Sequence, residues 1–305
     1  MNEELKAPIT GEQTATLKKE VLDIDLDLLL KFDQEFSNLG VDFFLQNYGK
    51  LMYQSCRMMF TQVSTFFLSI VGFYLLNQQN DSKGQAILGM ASSFNTIVFY
   101  GCLWAYMDKV GIMISSAVGA NKPQQAKVAF SKAILVVSVF MLAFILPAYW
   151  NSDTFFMWVG IDHDTASRNR DALLICLVSN TLQAAFELLK TFCMSHGVEL
   201  IFTKMSAYSF VIGLICCYVT IGRYGWGANG YFLSRVVMDT WNLCAAIYAF
   251  VTLDSPSKGL ATKEETLEGM GTHLYDSMLF IGGSYSQFLG FEITSLYIYH
   301  TADIS

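Results

Sequence analysis

Residues 84–107 read GQAILGMASSFNTIVFYGCLWAYM and carry no charged side chain over 24 positions. A helix needs about 20 apolar residues to cross the hydrocarbon core of a bilayer, so this stretch predicts a transmembrane helix. Three other uncharged stretches of comparable length predict further spans at 58–80, 133–152 and 205–222. The sequence therefore predicts an integral membrane protein.

Three more apolar stretches are long enough to span but contain charges: 172–195, 228–253 and 274–300. A central charge costs about 2.5–3.5 kcal/mol on insertion scales, which a long helix rich in Leu, Ile and Phe can offset. We therefore expect seven spans and an all-α polytopic membrane protein. Most connecting loops are short, so helices adjacent in sequence should pack antiparallel.

The overall composition agrees with a membrane location. Of the 305 residues, 53% are hydrophobic and 15% are charged, and the mean hydropathy is +0.39. An average soluble domain carries roughly 25% charged residues. The net charge of −7 argues against a nucleic-acid partner, and membrane lipid is the expected surrounding. Seven cysteines form no CxxC motif, so no metal site is predicted.

Charge also divides the chain into segments. Residues 1–50 hold ten acids and five Lys, which predicts an acidic tail before a six-helix body at 51–253. A polar linker follows at 254–272, and a seventh helix at 273–305. If the tail is cytoplasmic, nine basic residues face inward and four face outward, which favours that orientation. The inner residues are Lys50, Arg57, Lys122, Lys127, Lys132, Lys190, Lys204, Lys258 and Lys263, and the outer ones are Lys83, Arg168, Arg170 and Arg223.

Several motifs carry a resemblance to a known family. The segment GIMISSAVGANKPQQAKVAFSKA (111–133) combines a helix end of small residues, a tight turn and a basic amphipathic start of the next helix. Four other segments follow the same family order: NYGKLMYQSCRMMFTQ (47–62), LLKTFCMSHGVEL (188–200), GRYGWGANGYFLSRVVMDT (222–240) and FLGFEITSLYIYHTADIS (288–305). Together they resemble the multidrug and toxic compound extrusion (MATE) transporters over about 47–305.

The resemblance implies a fold and an activity. MATE transporters have twelve helices in two lobes, so this chain would supply a six-helix N-terminal lobe plus one helix of an incomplete second lobe. The implied activity is xenobiotic export, an antiport of small organic, cationic or amphipathic compounds against H⁺ or Na⁺ without another cofactor. Glu292 matches the second of two helix-seven carboxylates in animal and plant members, and Gln287 replaces the first. Glu292 is the predicted cation-coupling residue; the alternative is a carboxylate near the helix end that reaches water.

Polar residues inside the predicted spans are further candidates. Neutral ones could line a substrate cavity, although hydrogen bonds between helices are the favoured interpretation; they are Gln62, Asn95, Asn180, Gln183 and Gln287. Arg235 and Asp239 lie four residues apart on one helix, and Glu187 and Lys190 lie three apart on another. Such spacing predicts two structural ion pairs.

Two functions remain open on the sequence alone. The first is a MATE-type antiporter. The second is a membrane protein that does not transport by itself, either a truncated form or a half-transporter that needs a second lobe or a second copy. Alternating access requires two halves that move against each other, which separates the two possibilities. We do not expect an enzyme, because the sequence contains neither a P-loop nor a GxSxG motif.

Overall fold

The computed structural model describes residues 66–283 together with 48, 49, 52, 56, 285 and 286. The chain divides into a unit ending at Met58 and a unit from Met59 to Ser305, and residues 66–283 belong to the second unit. Every regular element in its described residues is a helix, which confirms the predicted all-α class.

The described helices follow one another with short connections. They are α1 (Phe66–Gln78), α2 (Ser82–Gly119), α3 (Pro123–Trp150), α4 (Ser152–Trp158), α5 (His163–Ser195), α6 (Leu200–Arg223), α7 (Gly227–Thr252), α8 (Lys263–Leu267) and α9 (270–283). Four of them, α2, α3, α5 and α6, are long and apolar enough to cross a membrane. They contain the spans predicted at 84–107, 172–195 and 205–222, and all but the last two residues of the span predicted at 133–152.

The other three predicted spans have different outcomes. The described part of the first, α1, is an apolar helix shorter than a full span. The sixth corresponds to α7, which has 26 residues and buries both Arg235 and Asp239. Most of the seventh, predicted at 274–300, lies outside the described residues.

Side-chain caps and tight turns set the helix starts. The Oδ1 atom of Asp81 accepts a hydrogen bond from the Gly84 amide at 2.8 Å and begins α2. Asp162 does the same for α5 through the Thr165 amide at 2.9 Å, and this bond holds the pKa of Asp162 below its ordinary value. A proline at the first position of α3 fits because that position needs no backbone donor.

Helices α2, α3 and α6 each contain one π-helical segment, at Thr96–Tyr100, Met141–Ile145 and Tyr218–Arg223. Such bulges shift the register of a helix by one residue and are frequent at functional sites. The bulge in α2 also contacts Tyr285, which belongs to the predicted seventh span. The Tyr285 hydroxyl donates a hydrogen bond to the Ile97 carbonyl at 2.7 Å.

One continuous apolar core joins the long helices, and α5 packs closely against α7. Fully buried Phe99, Phe130 and Tyr231 are among its largest side chains. Outward-facing side chains are also apolar, as Leu142 and Phe144 on α3 illustrate with exposures of 69% and 63%. An apolar exterior of this kind is characteristic of a surface that contacts lipid.

The predicted polar linker lies against the body at the end of the bundle where α3 begins. Ser131 Oγ accepts the Ala261 amide at 2.8 Å, and Lys132 Nζ donates to the Glu268 carbonyl at 2.6 Å. Helix α8 starts with a capping box formed by Thr262 and Glu265. The linker thus continues directly into α9 while bonded to α3.

Candidate functional site

Polar side chains from four helices meet inside the apolar bundle. We call this group the polar centre, and it consists of Asn95 and Tyr100 on α2, Tyr149 on α3, Ser179 and Asn180 on α5, and Arg235 and Asp239 on α7. All seven are at most 8% exposed. Ionisable groups buried within a membrane domain are costly and rare, so this cluster is the candidate functional site.

One half of the polar centre is a set of amide and phenol groups. Asn180 Nδ2 donates to Asn95 Oδ1 at 2.8 Å and to the Tyr149 hydroxyl at 2.8 Å. The Tyr149 hydroxyl in turn donates to Asn95 Oδ1. Asn95 and Asn180 were candidates for a substrate cavity, and in the structure they bond to each other and to α3. This arrangement corresponds to the alternative of helix-to-helix hydrogen bonding.

The other half contains the two charged groups of α7. Arg235 Nη2 donates to the Tyr100 hydroxyl, and its guanidinium lies 5.5 Å from the centre of that ring. Asp239 Oδ2 accepts a hydrogen bond from the Ser179 hydroxyl. No ion pair joins these two described side chains, so the predicted direct pair between Arg235 and Asp239 is wrong.

The order of the two charges explains this correction. Side chains on a helix lean toward its N-terminus, so a long residue that precedes its partner leans away from it. Arg235 precedes Asp239 and reaches toward α2 instead. In the second predicted pair the acid comes first, and Lys190 Nζ contacts both Glu187 oxygens at 2.9 Å. That pair is confirmed.

The same face of α5 carries a row of polar side chains. Gln183, another cavity candidate, donates from Nε2 to Glu187 Oε1 at 3.0 Å. Ser179, Gln183 and Glu187 are spaced four residues apart, so they line one face of the helix from its middle toward its C-terminal end. The row connects the polar centre with the Glu187–Lys190 ion pair.

Three buried atoms on α7 have no hydrogen-bond partner among the described residues. They are Arg235 Nε, Asp239 Oδ1 and Asn242 Oδ1. Asn242 was missed by the sequence analysis, as were the roles of Tyr100, Tyr149 and Ser179. The spacing of Arg235, Asp239 and Asn242, four and then three residues, could have indicated a common helix face.

The remaining sequence candidates fall elsewhere. Gln62, Gln287 and Glu292 lie outside the described residues, so their proposed roles stay predictions. Within the described part of the chain, no cluster of three or more His, Cys, Asp or Glu side chains could hold a metal ion.

Comparisons with known proteins place the fold. Residues 58–219, more than half of the chain, match the MatE family model. The structure is similar to that of the eukaryotic MATE transporter AtDTX14, with a TM-score of 0.70, 16% identity, and coverage of 83% of this chain and 56% of that one. It is also similar to the Vibrio cholerae MATE transporter VcmN in the bent form, with a TM-score of 0.62, 16% identity, and coverage of 84% and 57%.

The search of curated proteins gives no match. The chain spans little more than half the length of either solved transporter. At 16% identity the two structural similarities show only that the fold is shared. The match to the family model, in contrast, is a match of the amino-acid sequence. Family match, helical architecture and apolar exterior agree, and this membrane protein belongs to the MATE family of transporters.

Proposed function

We propose that this chain is a MATE-type antiporter that exports small organic cations or other amphipathic compounds in exchange for H⁺ or Na⁺. Membership of the MATE family supports transport as its activity. The observation that carries the proposal is the polar centre, in which Arg235 and Asp239 are buried inside an apolar bundle. Binding sites of secondary transporters lie near the middle of the membrane, where ionisable groups are otherwise avoided.

Substrate contacts are proposed at residues that do not hold the helices together. Asn95, Asn180 and Gln183 already bond to protein groups, so they are occupied in the described bundle. We therefore assign the proposed substrate contacts to Gln62 and Gln287, and cation coupling to Glu292. A carboxylate inside a span can exchange a cation when access alternates between the two sides.

The proposed orientation places the N-terminal tail in the cytoplasm, following the bias of basic residues. The linker at 254–272 would then be cytoplasmic, and the loop before α5 would be outside. Single cysteines at positions 160 and 260 in a cysteine-free background test this assignment. A membrane-impermeant thiol reagent applied outside should label position 160 only, and labelling of position 260 would contradict the orientation.

Transport is tested by reconstituting the purified chain into lipid vesicles. An imposed pH or Na⁺ gradient should drive a fluorescent organic cation across the membrane, and Glu292→Gln should reduce this flux to background. Glu264→Gln is the matched control, because that side chain is exposed on α8 and should leave transport unchanged. Unchanged flux in Glu292→Gln would remove that residue from the coupling role.

The second candidate function is a form that does not transport alone. The chain spans 56% and 57% of the two solved transporters, and alternating access uses two lobes that move against each other. Folded, inserted protein without gradient-driven flux would overturn transport by this chain alone. It would favour a half-transporter that requires a second lobe or a second copy.

A further inference from the structure

Two neighbouring cavities open at the end of the bundle where α2, α5 and α7 begin. The first, which we call the polar cup, has a volume of about 270 Å³, and its charged lining residues are Asp81, Lys83, Arg168 and Asp171. The second, which we call the apolar groove, has a volume of about 390 Å³ and is lined by Ile175, Trp226, Asn229 and Leu233. Because Trp226 and Asn229 line both cavities, the cup continues into the groove.

The two helices that border this site change from polar to apolar in the same direction. On α5, Arg168 and Asp171 line the cup and Ile175 lines the groove, at spacings of three and four residues. On α7, Asn229 lines both cavities, and Leu233, four residues later, lines the groove. Residues at these spacings share one face of a helix. The combined site therefore has the polarity profile of an elongated amphiphile that lies along the bundle.

The cations of the polar cup can bind an anionic group. Lys83 and Arg168 belong to different helices, yet both contact Asp164, with N–O distances of 3.9 and 3.3 Å. Their side chains are 69% and 58% exposed, so these contacts are weak and leave both cations accessible. Helices α2 and α7 also begin at the cup, and the amides and dipole of a helix start attract anions. A phosphate group combines with both features.

The acids of the polar cup can bind a cationic group. Asp81 uses Oδ1 to cap α2, and among the described residues its Oδ2 atom accepts no hydrogen bond. A Cβ atom at Gly227 would lie 3.1 Å from this Oδ2, so the carboxylate lies against the backbone at the start of α7. Asp171 supplies a second carboxylate, 3.7 Å from Arg170. With two cations and two acids in its lining, the cup carries no net charge and is complementary to a zwitterion.

Aromatic side chains mark the junction of the two cavities as the level of the lipid headgroups. Tyr224 and Trp226 are 62% and 52% exposed, and their rings stack with centres 5.6 Å apart. Exposed Trp and Tyr side chains are enriched at this level of membrane proteins. Leu233, the seventh residue of α7, lies about 9 Å farther along the helix axis, where acyl chains are expected.

We propose that the polar cup and the apolar groove together bind one zwitterionic phospholipid. Its phosphate contacts Lys83 and Arg168, its ammonium group contacts Asp81 and Asp171, and one acyl chain lies in the groove between α5 and α7. A soluble zwitterion would leave the groove empty, whereas a lipid fills both cavities. The proposal does not depend on whether the chain transports.

Native mass spectrometry of the purified chain measures the lipids that remain bound after detergent is removed. The chain is equilibrated in detergent with equal amounts of dioleoyl phosphatidylethanolamine and dioleoyl phosphatidylglycerol, which share acyl chains and phosphate but differ in the ammonium group. We expect one retained phosphatidylethanolamine per chain, with about threefold or higher preference over phosphatidylglycerol, as one surface ion pair would give. Glycerophosphoethanolamine, the headgroup without acyl chains, should not displace the lipid at equal concentration.

Two variants test the two ends of the site separately. Asp171→Asn should remove the preference for phosphatidylethanolamine, while the exposed Glu264→Gln on α8 should keep it. Leu233→Trp fills the groove and should lower the retention of both lipids by about tenfold or more, because every acyl CH₂ group that is excluded reduces the affinity. Leu142→Trp on α3, an exposed apolar position outside the groove, is the matched control and should retain both lipids as the parent does.

Three results would overturn the proposal. Equal retention of the two lipids by the unmutated chain is the pattern of lipid that coats the whole surface. Displacement by glycerophosphoethanolamine at equal concentration would indicate a site for a soluble zwitterion, and unchanged retention in Leu233→Trp would exclude the groove. Size-exclusion profiles establish that each variant is folded, and Ile175→Trp, from the opposite wall of the groove, replaces Leu233→Trp if that variant does not fold.

Discussion

The polar centre and the linker at 254–272 both attach helices to one another through hydrogen bonds, but their surroundings differ. The seven side chains of the polar centre are at most 8% exposed, and several bond only to each other. The linker bonds to α3 near water, as the exposed contact between Gln124 Nε2 and Glu265 Oε1 at 2.7 Å shows. Water can replace a lost partner at the linker but not in the centre.

This difference indicates that the polar centre buries charged groups at a loss of stability that packing alone does not require. A buried charge pair commonly contributes less stability than apolar residues of the same shape would. The linker contacts carry only a small desolvation penalty, because both partners stay partly hydrated. We therefore interpret the linker as a structural attachment and the polar centre as a site maintained for function. The predictions below test that contrast, from the largest expected effect to the smallest.

The largest effect is expected from removing one charge of the polar centre. Arg235→Met leaves Asp239 buried without a compensating charge, which should lower the free energy of unfolding by about 3–5 kcal/mol. Thermal unfolding in detergent measures the change. Arg168→Met, at an exposed position, should stay within about 0.5 kcal/mol of the parent. Equal effects for the two variants would contradict a distinctive role for the buried position.

A smaller loss is expected in the neutral half of the polar centre. Asn180→Ala removes both donor bonds to Asn95 and Tyr149, and should lower the free energy of unfolding by about 1–3 kcal/mol. The neighbouring Thr181→Ala is the control, because that exposed hydroxyl bonds to the Leu177 carbonyl of its own helix. If the control destabilised as much as Asn180→Ala, the burial argument would fail.

The contact between α2 and Tyr285, in the predicted seventh span, should be sensitive to a substitution at Gly101. A Cβ atom at this position would lie 2.6 Å from the ring of Tyr285, so that ring must move. Gly101→Ala should therefore cost about 1–3 kcal/mol. Adding Tyr285→Ala should recover part of the loss, as a double-mutant cycle would show. Strict additivity of the two changes would indicate that the described contact does not form.

The smallest effect is expected at the linker and depends on pH. Hydrogen bonds from Thr262 and Gln124 lower the pKa of Glu265 below its ordinary value of 4.5. A lowered folded-state pKa stabilises α8 above that value, and the stabilisation is lost as the pH falls through the lower folded-state pKa. Hydrogen exchange of the α8 amides should accelerate there, while Glu265→Gln should show no such step. A step of equal size in that variant would contradict the assignment.

The sequence predicted the helices better than their contacts. Uncharged runs long enough for a bilayer identified α2, α3 and α6, and the length of α5 and α7 outweighed their charges. The π-helical segments carry no sequence signal of that kind, and Tyr100 is the last residue of the one in α2. The bond between Asn95 and Asn180 joins residues 85 positions apart, and only the packed bundle brings them together.

The ion pairs show a limit that the sequence could have revealed. Both pairs have helical spacing, but only the one with the acid first forms, because side chains lean toward the helix N-terminus. The order of Arg235 and Asp239 therefore argued against a direct pair. Glu187 and Lys190 have the favourable order and form the predicted contact.

The central claim is that the charges of the polar centre are maintained for function rather than for folding. Unfolding of the double variant Arg235→Met, Asp239→Leu in detergent tests it most directly. We predict a protein at least as stable as the parent, with a gain of up to about 1–4 kcal/mol, because apolar residues replace two buried charges together. A double variant as unstable as Arg235→Met alone would contradict the claim and show that the charges are needed to hold the bundle together.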